Sequence, residues 1–241
     1  MQQLGIVVAV EEDIETLVVE PGAGQPHASL RLESGRVEKC DRLLVLAGRE
    51  PQVRGLDLGR AEIESDAQGF ITVDEHQQTS KPGIYAVGDV VGPPFRIGAA
   101  HYQARVSMLH ASGGELACGG EPPMAIYTIP EIAVVGLIEE AVRRLDIPYG
   151  VGRARLDTTF AGRVSAAGRG LLKLVFARDG GGLLGVQILG DGATELVHLG
   201  AAWLQTGTPV EQIAATVFNY PSLSEAYRVA ALDGLARAAA R

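Results

Sequence analysis

Two short stretches of the sequence hold the side chains best suited to chemistry. The first is TSKPGIYAVGD, residues 79–89, in which an apolar run leads straight into Gly88 and Asp89. Ligands of α/β sheets bind beyond the carboxyl ends of strands, where glycine admits a close backbone approach and a carboxylate can accept hydrogen bonds from ligand hydroxyls. These residues therefore predict a ligand site, although a Gly-Asp pair is also a common turn after a strand.

The second stretch is FNYPSLSEAYRVA, residues 218–230, with the aromatic hydroxyl of Tyr220 placed just before a helix start. A phenol has an ordinary pKa near 10 and is a poor base at neutral pH. Ser222 and Glu225 have the S-x-x-E spacing of a capping box, which predicts that the last helix begins at Ser222. Capping explains Glu225 without catalysis, and packing at the helix entrance is an alternative role for Tyr220.

Composition narrows the class of protein. The chain has 241 residues, a net charge of −8 and 46% hydrophobic residues, which is enough for one large domain or two small ones. The acidity argues against nonspecific nucleic-acid binding, and no apolar run is long enough to span a membrane. The two cysteines, Cys40 and Cys118, show no disulfide or metal-ligand spacing. We expect a cytoplasmic protein without a metal site.

The elements around these residues begin with β-rich sequence. Four strand-like runs, GIVVAVEE, TLVVEP, ASLRLES and DRLLVLAG, predict an antiparallel meander of three or four strands that ends in a buried strand at residues 43–47. Two more strands are expected at residues 70–73 and 84–87. Helical spacing follows from Ile97 to residue 112. The Gly- and Pro-rich stretch at 118–123 is expected to be a linker.

The remainder, from residue 124, favours an α+β domain. It predicts a strand in IPEIAVVGL, a short helix in LIEEAVRRLDI, a hairpin that turns at residues 179–182, and an amphipathic helix in ATELVHLGAAWLQTG. A further helix should begin with Thr208 as N-cap, Pro209 in its first position and Glu211 in its third. Arg228, in the last helix, is expected to form an ion pair.

Several of these segments, in order, resemble the flavin-dependent pyridine nucleotide–disulfide oxidoreductases. They are LLVLAGREPQ (43–52), GFITVDEHQQTS, TSKPGIYAVGD and YTIPEIAVVG (127–136). The resemblance implies a mixed α+β and α/β fold, in which partial FAD- and NAD(P)-binding domains, a β-meander plus a truncated sheet, precede an α+β interface domain. It assigns residues 1–50 to the remnant of the NAD(P) domain, 51–120 to part of the FAD domain, and 121–241 to homodimerisation.

The same resemblance implies where the FAD cofactor is contacted. The positions are Gly88 and Asp89 at the second FAD fingerprint, and Ile97, Gly98, Ala99 and Ala100 at the start of the next helix. Orphan N–H groups and the positive end of that helix would stabilise negative charge on the flavin. No GxGxxG is expected anywhere in the chain, since Gly22 and Gly24 are followed by Gln-Pro-His and have no strand–turn–helix around them, so both nucleotide fingerprints are expected to be absent. FAD and NAD(P) are thus expected in a complete enzyme, and weak or no FAD binding by this chain.

The family's disulfide reductases carry a catalytic histidine where this chain has Tyr220, and a histidine-orienting glutamate at the position of Glu225. Tyrosine here is typical of the transhydrogenase branch, which shuttles hydride between NADPH and NAD without a dithiol. PYGVGRAR, TELVHLGAA and residues 218–237 also resemble that branch. The alternatives are a dihydrolipoamide dehydrogenase-like disulfide reductase and a non-catalytic dimerisation module. Tyr220 is expected either in dimer packing or against a partner's flavin.

Overall fold

The computed structural model describes residues 5–20, 27–115, 122–164, 170–178 and 182–240. The chain divides into two compact units, Met1–Glu50 and Pro51–Arg241. The predicted hairpin turn falls mostly on residues 179–181 and the predicted linker mostly on 118–121, which lie outside the described residues.

The first unit contains a three-stranded antiparallel meander, in which the strands within TLVVEP and ASLRLES were predicted and the third strand was not. Strands β1 (Ile14–Glu20), β2 (His27–Leu32) and β3 (Val37–Cys40) form an antiparallel sheet in the order β1-β2-β3. Gly35, with a φ of 83°, makes the turn between β2 and β3. Alternation along β2 buries one face of that strand, as expected for a half-covered sheet.

Two strands predicted in this unit do not form. GIVVAVEE, residues 5–12, and the supposed buried strand at 43–47 have no strand assignment, and Leu46 is 83% exposed. A strand needs a ladder partner for its backbone and a covering layer for its apolar side chains. Neither segment pairs with the described sheet of its unit, so their apolar character alone does not make them strands.

The first part of the second unit is built from turns and one long helix. The strands predicted at 70–73 and 84–87 are wrong for the same reason: only isolated bridges such as Val73↔Thr79 and Gln78↔Tyr85 occur there. Short 3₁₀ turns lie at Leu58–Ala61 and Gly88–Val91. The predicted helix is confirmed as α1, Ile97–Ala111.

The larger sheet belongs to the predicted α+β domain. Its strands are β4 (Met124–Ile126), β5 (Ile132–Gly136), β6 (Tyr149–Arg155), β7 (Leu171–Ala177) and β8 (Leu183–Leu189). They pair antiparallel in the order β4-β5-β8-β7-β6, and Leu174 faces Val186 in the central β7–β8 register. Strand β6 is therefore an edge strand.

In the described part of this domain, five α-helices accompany the sheet: α2 (Glu139–Arg144), α3 (Phe160–Val164), α4 (Ala193–Gln205), α5 (Val210–Ala215) and α6 (Glu225–Ala239). Alternate residues of the strands and the inner faces of α4, α5 and α6 form one buried apolar cluster. Gly152 of β6 lets α6 approach, because a Cβ there would lie 1.9 Å from the Ala230 carbonyl oxygen. The mixed fold expected from the sequence is thus confirmed.

The predicted cap of α5 is wrong. The N-cap of this helix is Pro209 rather than Thr208, and it has no side-chain cap. The Thr208 hydroxyl instead lies 2.7 Å from the Thr206 hydroxyl, while the Thr208 carbonyl accepts the Leu183 N–H at 3.0 Å. Pairing with the end of the sheet holds Thr208 outside the helix.

Candidate functional site

The turn that precedes Gly88 is held by a buried threonine. The Thr79 hydroxyl donates to the Ile84 carbonyl at 3.0 Å and accepts the Lys81 N–H at 3.2 Å. The Thr79 N–H also donates to the Ile84 carbonyl, at 2.8 Å. One side chain therefore closes the loop and fixes the direction in which the apolar run approaches Gly88.

Gly88 joins that run to helix α1. Its φ of 81° is left-handed, a conformation that glycine adopts without strain. Its N–H donates to the side-chain oxygen of Gln103 at 2.7 Å, and Asp89 follows, partly buried, in the 3₁₀ turn. A Cβ on Gly88 would meet only the Ala100 Cβ, at 3.5 Å. Conformation, rather than lack of space, is what requires glycine here.

The first turn of α1 lies beside this 3₁₀ turn and is open to solvent. Ile97 is 78% exposed and Gly98 is exposed, whereas Ala99 is buried. The N-cap, Arg96, provides no side-chain cap, and the first turn contains no acidic residue. The positive end of the helix dipole therefore remains uncompensated by side chains of that turn.

These residues suit the polar part of a flavin: a left-handed glycine, a carboxylate and a helix N-terminus lie together. A glycine-rich loop that binds a pyrophosphate would need the spacing GxGxxG before a helix. The expectation that no GxGxxG occurs is wrong, because the pattern occurs once, at Gly180, Gly182 and Gly185, but Gly185 lies within strand β8. A Cβ on Gly185 would lie 2.0 Å from the Leu137 carbonyl oxygen, so this glycine serves strand packing.

The second predicted site surrounds a cavity of about 320 Å³ between α5 and α6. Tyr220 lines it, is 64% exposed, and has its ring 5.7 Å from that of Phe160. Glu225 and Arg228 line it too, and the Arg228 guanidinium donates to the Glu225 carboxylate at 2.6 Å, which confirms the predicted ion pair of Arg228.

The capping box predicted at this site is wrong. Helix α6 begins at Glu225, and its N-cap is Ser224 without a side-chain cap. The Ser222 hydroxyl accepts the Ser224 N–H at 3.1 Å, while the Glu225 N–H donates to the Ser222 backbone carbonyl at 3.3 Å. The Glu225 carboxylate is instead engaged by the Arg228 guanidinium, in a bond between two charged groups.

Sequence reasoning missed two carboxylates that organise the larger sheet. Glu131 accepts the Thr194 N–H at 3.1 Å and the Thr194 hydroxyl at 2.9 Å, so it caps α4 from a distant part of the chain. These hydrogen bonds lower the pKa of Glu131. The only sequence signal was indirect, because the N-cap of α4 is Gly192, which has no side chain to cap with.

Glu139 is the other missed carboxylate. It accepts hydrogen bonds from Lys173 at 3.1 Å, Arg143 at 2.7 Å and the Tyr149 hydroxyl at 3.2 Å. The bond from Lys173 is the main reason that the pKa of Glu139 is lowered, against the opposing effect of burial. The i, i+4 spacing of Glu139 and Arg143 was visible in the sequence, but Lys173 reaches it from another strand.

Among the described residues, no three His, Cys, Asp or Glu side chains gather as a metal site would require. The helices described here are all too short or too polar to cross a bilayer. Cys40 is a free thiol and Cys118 lies outside the described residues.

Two protein-family models match the chain, one in its first half and one in its second half. The model for pyridine nucleotide-disulphide oxidoreductases matches residues 1–109, and the model for the dimerisation domain of the same enzymes matches residues 122–231. The chain belongs to the pyridine nucleotide-disulphide oxidoreductase family. The family expected from the sequence is therefore confirmed.

Curated relatives of this chain include soluble pyridine nucleotide transhydrogenases. Those of Serratia proteamaculans and Erwinia tasmaniensis are 37% and 38% identical to it, and each alignment covers 97% of this chain and 50% of the relative. The chain thus spans about half the length of the curated relatives it matches.

Solved structures support the fold. LpdA from Mycobacterium tuberculosis aligns with a TM-score of 0.81 at 27% identity, over 92% of this chain and 48% of LpdA. The HOCl-induced flavoprotein disulfide reductase RclA from Escherichia coli aligns with a TM-score of 0.80 at 22% identity, over 91% of this chain and 50% of RclA.

Proposed function

We propose that this chain forms the flavin-facing and dimerising half of an enzyme that passes hydride between NADPH and NAD. The observation that carries the proposal is the pair of side chains at the start of α6. Tyr220 is a phenol where a thiol-exchanging enzyme needs a base, and Glu225 is already paired with Arg228 at 2.6 Å. The transhydrogenases among the relatives support the same function.

Gly88 and Asp89, with Ile97, Gly98, Ala99 and Ala100, are the residues that would hold the flavin. Gly88 removes the side chain at the point of closest approach, and Asp89 accepts hydrogen bonds from hydroxyl groups. The N–H groups at the start of α1 stabilise negative charge beside them. A bound flavin supplies hydride acceptance and release, which no side chain can provide.

The proposal includes an organisation of the chain. Residues 1–50 belong to the NAD(P)-binding domain, 51–120 to the FAD-binding domain, and 121–241 form a homodimer contact. The dimerisation-domain match at 122–231 supports the last assignment. NADPH and NAD are the pyridine nucleotide substrates of the complete enzyme. Tyr220 contributes packing or contact rather than proton transfer.

A fusion protein tests the hydride-transfer proposal. The part of the Serratia transhydrogenase that this chain does not cover is joined to residues 1–241, and reduction of a NAD analogue by NADPH is followed. We expect flavin absorbance near 450 nm and hydride transfer that survives Tyr220→Phe within about threefold. A loss of more than about a hundredfold in that variant, with flavin still bound, would give Tyr220 a proton-transfer role and refute the proposed chemistry.

A second candidate function, a dimerisation module without catalysis of its own, is favoured by where the core lies. The large buried cluster is formed by residues of the second unit, from Ala133 to Ala231, whereas apolar residues 44–46 of the first unit are exposed. Light scattering and absorbance of the purified chain separate the two functions. A colourless dimer supports the module, and a yellow protein with transhydrogenase activity supports the enzyme.

A further inference from the structure

The free edge of β6 borders a cavity of about 640 Å³ that lies between α2 and α6. We propose that this cavity binds a small organic molecule through its phosphate group. The cavity is within the range of about 300–1,000 Å³ that small-molecule sites occupy. It is separate from Gly88 and from Tyr220, neither of which lines it, and its binding does not depend on the hydride-transfer proposal.

Arginine dominates the cavity wall. Arg143, Arg153, Arg178 and Arg237 all line it, in a chain whose net charge is −8. Guanidinium groups present planar forks of donors that match phosphate oxygens, and they occur wherever such bidentate recognition is needed. Four arginines around one cavity therefore form a region rich in positive charge on a protein whose net charge is negative.

Carboxylates hold three of these arginines in place, but they do not cancel the positive charge of the arginine cluster. Glu139 receives Arg143 at 2.7 Å, Lys173 at 3.1 Å and Arg153 at 3.7 Å, so one carboxylate is shared among three cations. Asp233 holds Arg237 at 2.8 Å. The described cations are the four lining arginines and Lys173, which reaches the site through Glu139, against the carboxylates of the lining residues Glu139 and Asp146 and of Asp233, the partner of Arg237. Two positive charges remain in excess.

Arg178 is the arginine best placed to bind a ligand. Its backbone N–H donates to the Pro148 carbonyl at 3.0 Å, which fixes its Cα at the end of β7 beside the cavity. Its guanidinium makes no hydrogen bond or ion pair within the part of the chain that the structure describes. A phosphate that enters the cavity could therefore bind the N–H groups of Arg178 without breaking an existing hydrogen bond.

The backbone of β6 adds donors at the same place. The N–H of Leu156 points inward to the Gly170 carbonyl, whereas the N–H of Arg153 points outward and donates to the Asp233 carboxylate at 2.9 Å. Because N–H groups alternate in direction along an antiparallel strand, the N–H of Val151 also points to the free edge. Val151 lines the cavity, so its amide complements the arginines.

The remaining wall indicates that the ligand is more than inorganic phosphate. Ile147, Pro148, Tyr149 and Val151 provide apolar and aromatic surface beside the guanidinium groups. The Tyr149 hydroxyl accepts the Arg143 Nε–H at 2.8 Å, which holds the ring in place. An anionic end next to a flat apolar surface fits a phosphate that is joined to an organic ring, as in a nucleotide.

Isothermal titration of the purified chain tests this proposal with two probes, inorganic pyrophosphate and ADP. We expect both to bind in the range of about 0.1–1 mM, with ADP tighter by about threefold or more. Arg178→Ala should weaken both about tenfold without changing the melting temperature, and Arg178→Lys should restore part of the loss. Asp146→Asn should tighten binding, because it removes a like charge from the wall.

The matched control is Arg144→Ala, one residue along from Arg143. Arg144 pairs with Glu140 at 2.6 Å and does not line the cavity, so its loss should leave both affinities unchanged. Equal weakening by Arg144→Ala and Arg178→Ala would mean general charge attraction, and would overturn the proposal. Failure of either probe to bind the folded wild-type chain would overturn it as well.

Discussion

The backbone N–H of Gly200 donates a hydrogen bond to the hydroxyl of Tyr227 at 3.2 Å, joining helices α4 and α6 inside the core. The same hydroxyl donates to the Leu196 carbonyl at 2.7 Å, so it contacts two backbone groups that lie four residues apart in α4. Burial raises the pKa of Tyr227 above its ordinary value of 10, and the phenol stays neutral at physiological pH. Tyr227 is thus a structural tyrosine, unlike the exposed Tyr220.

Replacing either partner of this contact should destabilise the domain by different amounts. Tyr227→Phe removes the hydroxyl and its two hydrogen bonds but keeps the buried ring, so we expect a loss of about 1 kcal/mol. Gly200→Ala would place a Cβ 2.7 Å from a Val186 methyl and 2.9 Å from the Tyr227 hydroxyl, which should cost about 2–3 kcal/mol. Urea unfolding of both variants measures the order, and an equal or reversed order would contradict this packing.

Glu139→Gln should reveal a pH-dependent contribution to stability. Because the folded pKa of Glu139 is lowered below 4.5, chiefly by Lys173, the native state favours the ionised form. Its stabilisation is therefore fully present above pH 4.5 and is lost as the pH falls through the folded pKa. At pH 7 we expect the variant to lose about 1–2 kcal/mol relative to wild type.

Urea unfolding at several pH values measures that difference. The wild-type and variant free energies of unfolding should converge as the pH falls below 4.5. Glu140→Gln is the control, since Glu140 is exposed and pairs with exposed Arg144, and surface pairs contribute little. A Glu139→Gln deficit that is constant across the whole range would show that charge is not its origin.

Helices and strands could be predicted from local sequence more readily than the contacts of Glu131 and Glu139. Helix α1 and the β7–β8 strands follow from periodicity, which is a local property. The apolar run at 43–46 did not become a strand, because strand formation depends on a partner that periodicity cannot supply. The Glu131–Thr194 cap spans 63 residues, so no local motif could have predicted it.

The candidate site shows the same division. The positive φ of Gly88 is consistent with the Gly-Asp motif, and the motif was visible in the sequence. The bond from Gly88 to Gln103 was not predicted, since it requires knowing that α1 packs back onto the turn. The S-x-x-E pattern at Ser222 predicted a capping box that does not form, because the Glu225 carboxylate binds Arg228 instead of the backbone.

Two glycine substitutions near the proposed flavin contact should change stability in opposite directions. Gly88→Ala forces a non-glycine residue to a φ of 81° and should cost about 1–2 kcal/mol, although its Cβ has room. Gly98→Ala places a better helix former in α1 with no atom within 4 Å of its Cβ, and should stabilise by up to about 1 kcal/mol. Thermal unfolding compares them, and destabilisation by Gly98→Ala would contradict the helical, open position of Gly98.

Val217→Asp should separate the proposed homodimer. Val217 is 95% exposed and lines the cavity that also contains Tyr220 and Glu225, within the dimerisation-domain match. If this surface is covered by a second copy, the substitution buries an unpaired carboxylate, and the dimer dissociation constant should rise at least about tenfold. Leu145→Asp is the control, since Leu145 is 59% exposed at the end of α2, and its dissociation constant should stay at the wild-type value. Light scattering across a dilution series distinguishes the variants, and a Val217→Asp dimer as tight as wild type would exclude this surface from the interface.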